Sequence, residues 1–156
     1  MTVEVGKERK ILVRSNFFGS ISLRAPDGIE FHCSSKRALA ILAYLLLSGE
    51  EFVPRVRLQR LIWGQRYSEN DQASLRRELY VLRMVFSSTK CAVFRSTRSA
   101  VGVNRAAFWV DGIDSPPSST KGMTANAKKL LEELEGISVE FDNWIVGIRA
   151  RIIPNT

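Results

Sequence analysis

Histidine and cysteine are nearly absent from this 156-residue chain: there is one His and there are two Cys. Cys33 and Cys91 cannot build a disulfide framework or a thiolate metal cage, and His32 has no second ligand at useful spacing. A surface or structural histidine and two small packing cysteines are the simplest readings. Ten glycines are too scattered to cradle a phosphate, with neither a Gly-x-x-x-x-Gly-Lys nor a Gly-x-Gly-x-x-Gly pattern. The carboxylates Glu132, Glu133 and Glu135 fall on one short stretch that reads as a solubilising surface. Catalysis and a bound cofactor are therefore not expected. Long apolar runs are missing too. The longest, around Leu39 to Leu47, is interrupted by the polar tip of Tyr44 and falls far short of the roughly 20 residues that span a bilayer. Met1 to Lys10 is charged and has no apolar core of a secretory signal, so a reduced, cytoplasmic protein without a membrane partner is expected.

What is present is positive charge, unevenly spread. The chain carries +7 overall. Met1 to Asp111 holds 18 Lys and Arg against 10 Asp and Glu, whereas Gly112 to Thr156 holds 5 against 6. Fourteen of the first 18 are arginine, the cation that pairs bidentately with phosphates and guanine edges. The total alone fits nucleic acid, a membrane surface or an acidic protein equally well.

Periodicity gives an α+β order. Ile11 to Val13 and Phe17 to Leu23 are β-type runs, Ala25-Pro26-Asp27-Gly28 is a turn, and Ile29 to Cys33 returns as a strand. Helix one is expected from Ser35 to Ser48, capped by serine and stopped by Gly49; helix two runs from Pro54 to Trp63 and stops at Gly64. Gln65 to Asn70 is polar and reads as a loop. Helix three runs from about Asp71 to Phe86, with Leu75, Leu79, Leu82 and Phe86 on one face and Ala73, Arg77, Tyr80 and Met84 opposite, Arg76 and Arg83 flanking. Ala92 to Phe94 and Val101 to Val103 frame Arg95 to Ser99 as a small hairpin. Ser115 to Thr120 is linker-like, Met123 to Leu134 is expected as a helix, and Val139 to Ile152 as another with Phe141, Trp144, Ile145 and Ile148 on one side.

Several fragments, in order, resemble the OmpR/PhoB-type winged-helix DNA-binding domain of SARP-like bacterial transcriptional activators. They are Phe18-Gly19, Asp27-Gly28, Ser35-Lys36-Arg37-Ala38-Leu39 through Tyr44-Leu45, Leu58-Gln59-Arg60-Leu61-Ile62-Trp63-Gly64, and Ala73-Ser74-Leu75-Arg76 with Leu79 and Leu82-Arg83. Beyond the linker, Leu130 to Gly136 and Phe141-Asp142-Asn143-Trp144 are similar to the opening of the TPR-like activation domain of that family.

The resemblance implies a winged-helix domain over residues 5–111, a linker over 112–122, and a helical extension over 123–156. It implies sequence-specific binding of double-stranded promoter DNA, with helix three in the major groove. Arg76, Arg77 and Tyr80 would contact or approach bases, with Gln72 and Ser74 at the helix start. Arg83, Lys36 and Arg37 would meet phosphates, and Arg95 and Arg98 would act from the wing. It further implies a homodimer on direct repeats, and RNA polymerase contact through the loop carrying Tyr67, where a merely structural connection is equally admissible. The alternative reading is a winged-helix module, or the regulatory domain of a larger signalling protein, that binds another protein without specific DNA affinity.

Overall fold

The computed structural model describes residues 10–64, 69–89, 92–114 and 129–152. Its architecture is mixed α+β, four α-helices and two small sheets among the described residues. Strand β1 (Val13–Asn16) pairs antiparallel with β2 (Ser22–Arg24) and, on its other side, parallel with β6 (Phe108–Val110). Val13 and Ser15 point into the core while Arg14 between them is exposed, the alternation a half-buried sheet requires.

The expected strands are displaced here. Residues 17–21 are a turn, and Asn16 closes the first strand rather than interrupting a longer one. Its Oδ1 accepts from the Phe18 amide (3.3 Å), its Nδ2 donates to the Phe18 carbonyl (3.0 Å), and Gly19 takes φ 67°. The physical reason is Phe17-Phe18. Both rings are buried, and two consecutive residues cannot face one side of a regular strand. Residues 29–33 return beside β2 as expected, but the pairing is reduced to one bridge, Arg24 with Glu30, made by the Phe31 amide to the Leu23 carbonyl (2.7 Å) and the Ala25 amide to the Ile29 carbonyl (2.8 Å).

Helix α1 (Lys36–Leu47) starts where Ser35 Oγ accepts from the Ala38 amide (3.1 Å), and from Ala40 onward it is buried all round. Strand β3 (Val53–Pro54) leads directly into α2 (Arg55–Trp63), which ends at Gly64 with φ 93°. Helix α3 (Glu69–Val85) begins two residues before the expected start. Leu75, Leu79, Leu82 and Phe86 are all at most 5% exposed, so the apolar face lies where periodicity put it. A 3-10 turn at Ser87–Thr89 precedes β4 (Phe94–Ser96) and β5 (Ala100–Val103), an antiparallel hairpin that β3 extends to three strands in the order β3-β5-β4. Phe86 is its hub, with ring centroids of Phe31, Phe94 and Phe108 at 5.1, 5.8 and 5.8 Å.

The C-terminal part closes the same core. The expected helix over residues 123–134 is not borne out where the structure describes it: Leu130 bridges Phe18, the Leu131 amide donates to the Phe17 carbonyl (2.7 Å), and Glu132–Leu134 is a 3-10 turn. Leu130 and Leu131 are both buried, as a helix face would also allow, but their backbone partners are Phe18 and Phe17 rather than a helical turn; Leu131 takes the left-handed φ of 65° to make the turn. Helix α4 (Val139–Ile152) follows at its expected bounds and buries Phe141, Ile145 and Ile148, with Trp144 against Tyr44 (4.9 Å). None of the described helices is long and apolar enough to cross a membrane.

Candidate nucleic-acid interface

With its leucine face locked into the core, α3 presents the rest of its surface outward. Gln72, Arg76, Arg77, Tyr80, Arg83 and Met84 are exposed and Ser74 is half-buried. Arg76 and Arg83 are seven residues apart, about two turns, and share one flank; Arg77 and Met84 are spaced alike near the centre of the exposed face, with Tyr80 between the two rows.

The β4–β5 hairpin is fastened against the first flank. Arg83 Nη2 donates to Ser96 Oγ at 2.6 Å. From the start of α2, the Arg55 amide donates to the Ser99 carbonyl (2.8 Å) and its Nε to the Thr97 carbonyl (3.2 Å). Thr97 Oγ1 accepts from the Ser99 and Ala100 amides (3.3 and 3.0 Å), so the tip is a tight turn held at both ends. Arg55 thereby joins Arg76 and Arg83. Burial, then the Arg83 guanidinium, then that of Arg76 press the Arg55 guanidinium below its ordinary pKa. Sequence reasoning missed Arg55; the only signal was its place at a helix start with no acidic residue in the first turn.

The remaining candidates are distributed around this centre. Lys36 and Arg37 open α1 and are exposed, with the Arg37 guanidinium 5.7 Å from the centre of the Trp63 ring. Ser35 Oγ donates to Glu78 (2.6 Å), which lies about 200° round α3 from Arg76, so α1 flanks the other side of α3. Arg98 is exposed at the hairpin tip. Arg95 is not brought to this face. Neighbouring side chains of a strand point to opposite sides; Ser96 faces α3, and Arg95 turns toward Glu51 at 3.9 Å. Tyr67 lies outside the described residues.

No family model matches the chain, and no curated protein matches it either. Function is therefore argued from geometry and charge. Elsewhere several arginines are paired with carboxylates: Arg57 with Glu50, Arg105 with Asp114 (3.1 Å), Arg149 with Glu135 (2.7 Å). Among the described residues Arg55, Arg76, Arg77 and Arg83 have no carboxylate partner. Other exposed arginines, such as Arg24 and Arg98, also lack a carboxylate partner, but these four are gathered around one exposed helix, two of them fastened to the hairpin beside it. Among the described residues, no group of three or more His, Cys, Asp or Glu could hold a metal ion. Cys33 is half-buried, and burial pushes its thiol pKa up, away from nucleophilic thiolate character.

Proposed function

We propose that this chain is a DNA-binding transcriptional regulator of the winged-helix type, in which α3 enters the major groove and the β4–β5 hairpin serves as the wing. The single observation that carries the reading is the set of carboxylate-free guanidiniums around the exposed face of α3. Such a set is electrostatically costly in the free protein and becomes favourable against a polyanion. An α-helix fits the major groove, where bases can be told apart by their edges. Arg77 and Tyr80 stand at the centre of the exposed face and are assigned to base edges; Lys36, Arg37 and Arg98 flank it and are assigned to phosphates, which position without specifying. Two copies on direct repeats and an activating contact with RNA polymerase through the loop carrying Tyr67 complete the proposal, on the strength of the resemblance alone.

Selection of bound sequences from a random duplex pool tests it. The expected result is a repeated motif, lost on Arg77→Ala, with affinity falling against salt at a log–log slope of about −5 for roughly six neutralised phosphates. Salt-sensitive binding with no enriched motif would instead mark a nonspecific architectural protein. No binding by the folded chain at moderate salt would remove DNA as its ligand.

A further inference from the structure

Arg55, Arg76 and Arg83 come from two helices and converge beside the hairpin turn. Arg55 and Arg83 are held there by neighbouring residues of one strand end, Thr97 (3.2 Å) and Ser96 (2.6 Å), so their positions are fixed relative to each other by the hairpin. Each spends only one side-chain nitrogen on that fastening. The Nη nitrogens of Arg55, one of Arg83 and the whole guanidinium of Arg76 have no hydrogen-bond acceptor among the described residues. Pro54 precedes Arg55 and gives α2 no side-chain cap, so the α2 start adds its partial positive charge without an acidic residue to offset it. Two cations on pre-set arms and a third, Arg76, on the same flank of α3, with donors unspent, describe a receptor for one tetrahedral oxyanion.

We propose that Arg55, Arg76 and Arg83 together bind one phosphate of the DNA backbone, clamped between the start of α2, the flank of α3 and the hairpin. The assignment of the phosphate to DNA rests on the function proposed above; the oxyanion site itself does not. It also moves Arg76 from base recognition to the backbone, leaving base reading to the side of α3 that carries Arg77 and Tyr80. The empty site is self-repulsive, since Arg55 feels both other guanidiniums.

That repulsion supplies a test with an unusual sign. Arg76 is exposed and makes no bond that the fold needs, so Arg76→Gln is expected to raise the melting temperature in chloride by relieving like-charge repulsion. Inorganic sulfate at matched ionic strength raises the melting temperature of the wild type, and Arg76→Gln abolishes most of that increment. Against duplex DNA the same variant weakens binding about tenfold, as expected for one charge-assisted contact, and makes the salt slope shallower by about 1, evenly across sequences. An unchanged or lower melting temperature in chloride together with an undiminished sulfate increment would overturn the site. A changed selected motif in Arg76→Gln would place Arg76 on a base and overturn the phosphate assignment. A sulfate effect that depends on Arg76, in a wild type that binds no duplex, would overturn the DNA source and leave a site for a free phosphate.

Discussion

Gly102 shows how the hairpin that fastens the arginines depends on space rather than on backbone freedom. Its φ is ordinary for a strand, but a Cβ built there would collide with the Glu51 carbonyl oxygen and lie 3.2 Å from the Phe52 ring. The ring can turn aside; the carbonyl belongs to the segment entering β3 and cannot. Gly102→Ala is therefore expected to destabilise the protein by about 1–3 kcal/mol, an overpacking cost, read as a lower urea midpoint. Because β5 carries the hairpin that Arg55 and Arg83 grip, duplex affinity is expected to fall with it. An unchanged midpoint would mean that β5 and the Glu51 segment do not approach so closely in solution. The sequence shows Gly102 only as a weak strand residue. Leu75, Leu79, Leu82 and Phe86 were legible because their spacing is a local property of one helix. Arg55 was not, because its part in the site depends on a hairpin carbonyl 42 residues later in the chain.

At the scale of elements, α4 and the segment before it make the same point from opposite sides. Helix α4 has regular periodicity, which was readable, although the serine that caps its start was not singled out. Leu130, Leu131 and Leu134 also fit a helical spacing, yet the chain there is a bridge and a 3-10 turn, because its partner is the Phe17–Phe18 backbone more than a hundred residues away. Period alone cannot see such a partner. The joint between the two is Ser138. Its Oγ accepts from the Phe141 amide (2.9 Å), capping α4, and donates to the Leu61 carbonyl (2.6 Å) in the last turn of α2. Ser138→Ala removes a cap and leaves a helix-end carbonyl without its donor, at an expected cost of about 1–2 kcal/mol in chemical denaturation. Ser138→Thr keeps both bonds and is expected to recover most of the loss. Ser138→Asp keeps the cap but has no proton for Leu61 at neutral pH, so it is expected to recover less. Equal stability of the Asp and Thr variants would show that the bond between helices contributes nothing.

At the scale of the whole molecule, the shift in composition after Asp111 marks a change of charge and not the edge of the core. Among the described residues the buried apolar side chains, from Val13 to Ile148, form one cluster. Residues 129–152 give it Leu130, Leu131, Leu134, Phe141, Ile145 and Ile148, and bind back through the Gly19 amide to the Lys129 carbonyl (3.0 Å) and Arg149 Nε to the Leu130 carbonyl (2.8 Å). Burying six such side chains contributes on the order of 10 kcal/mol, as large as the whole net stability of an ordinary domain. Their removal would also uncover apolar surface on what is left: Phe17, Tyr44 and Ile62 are buried in the same cluster. A chain cut after Asp114 is thus expected to lose its cooperative thermal transition and to bind a hydrophobic dye, while the full chain melts in one step. Duplex binding should disappear with the transition, although every arginine of the candidate interface is retained. If the shortened chain instead melts cooperatively near the full-length temperature and keeps its salt-dependent binding, residues 129–152 are an appendage lying on a self-sufficient DNA-binding unit, and their buried leucines pack there without supporting it.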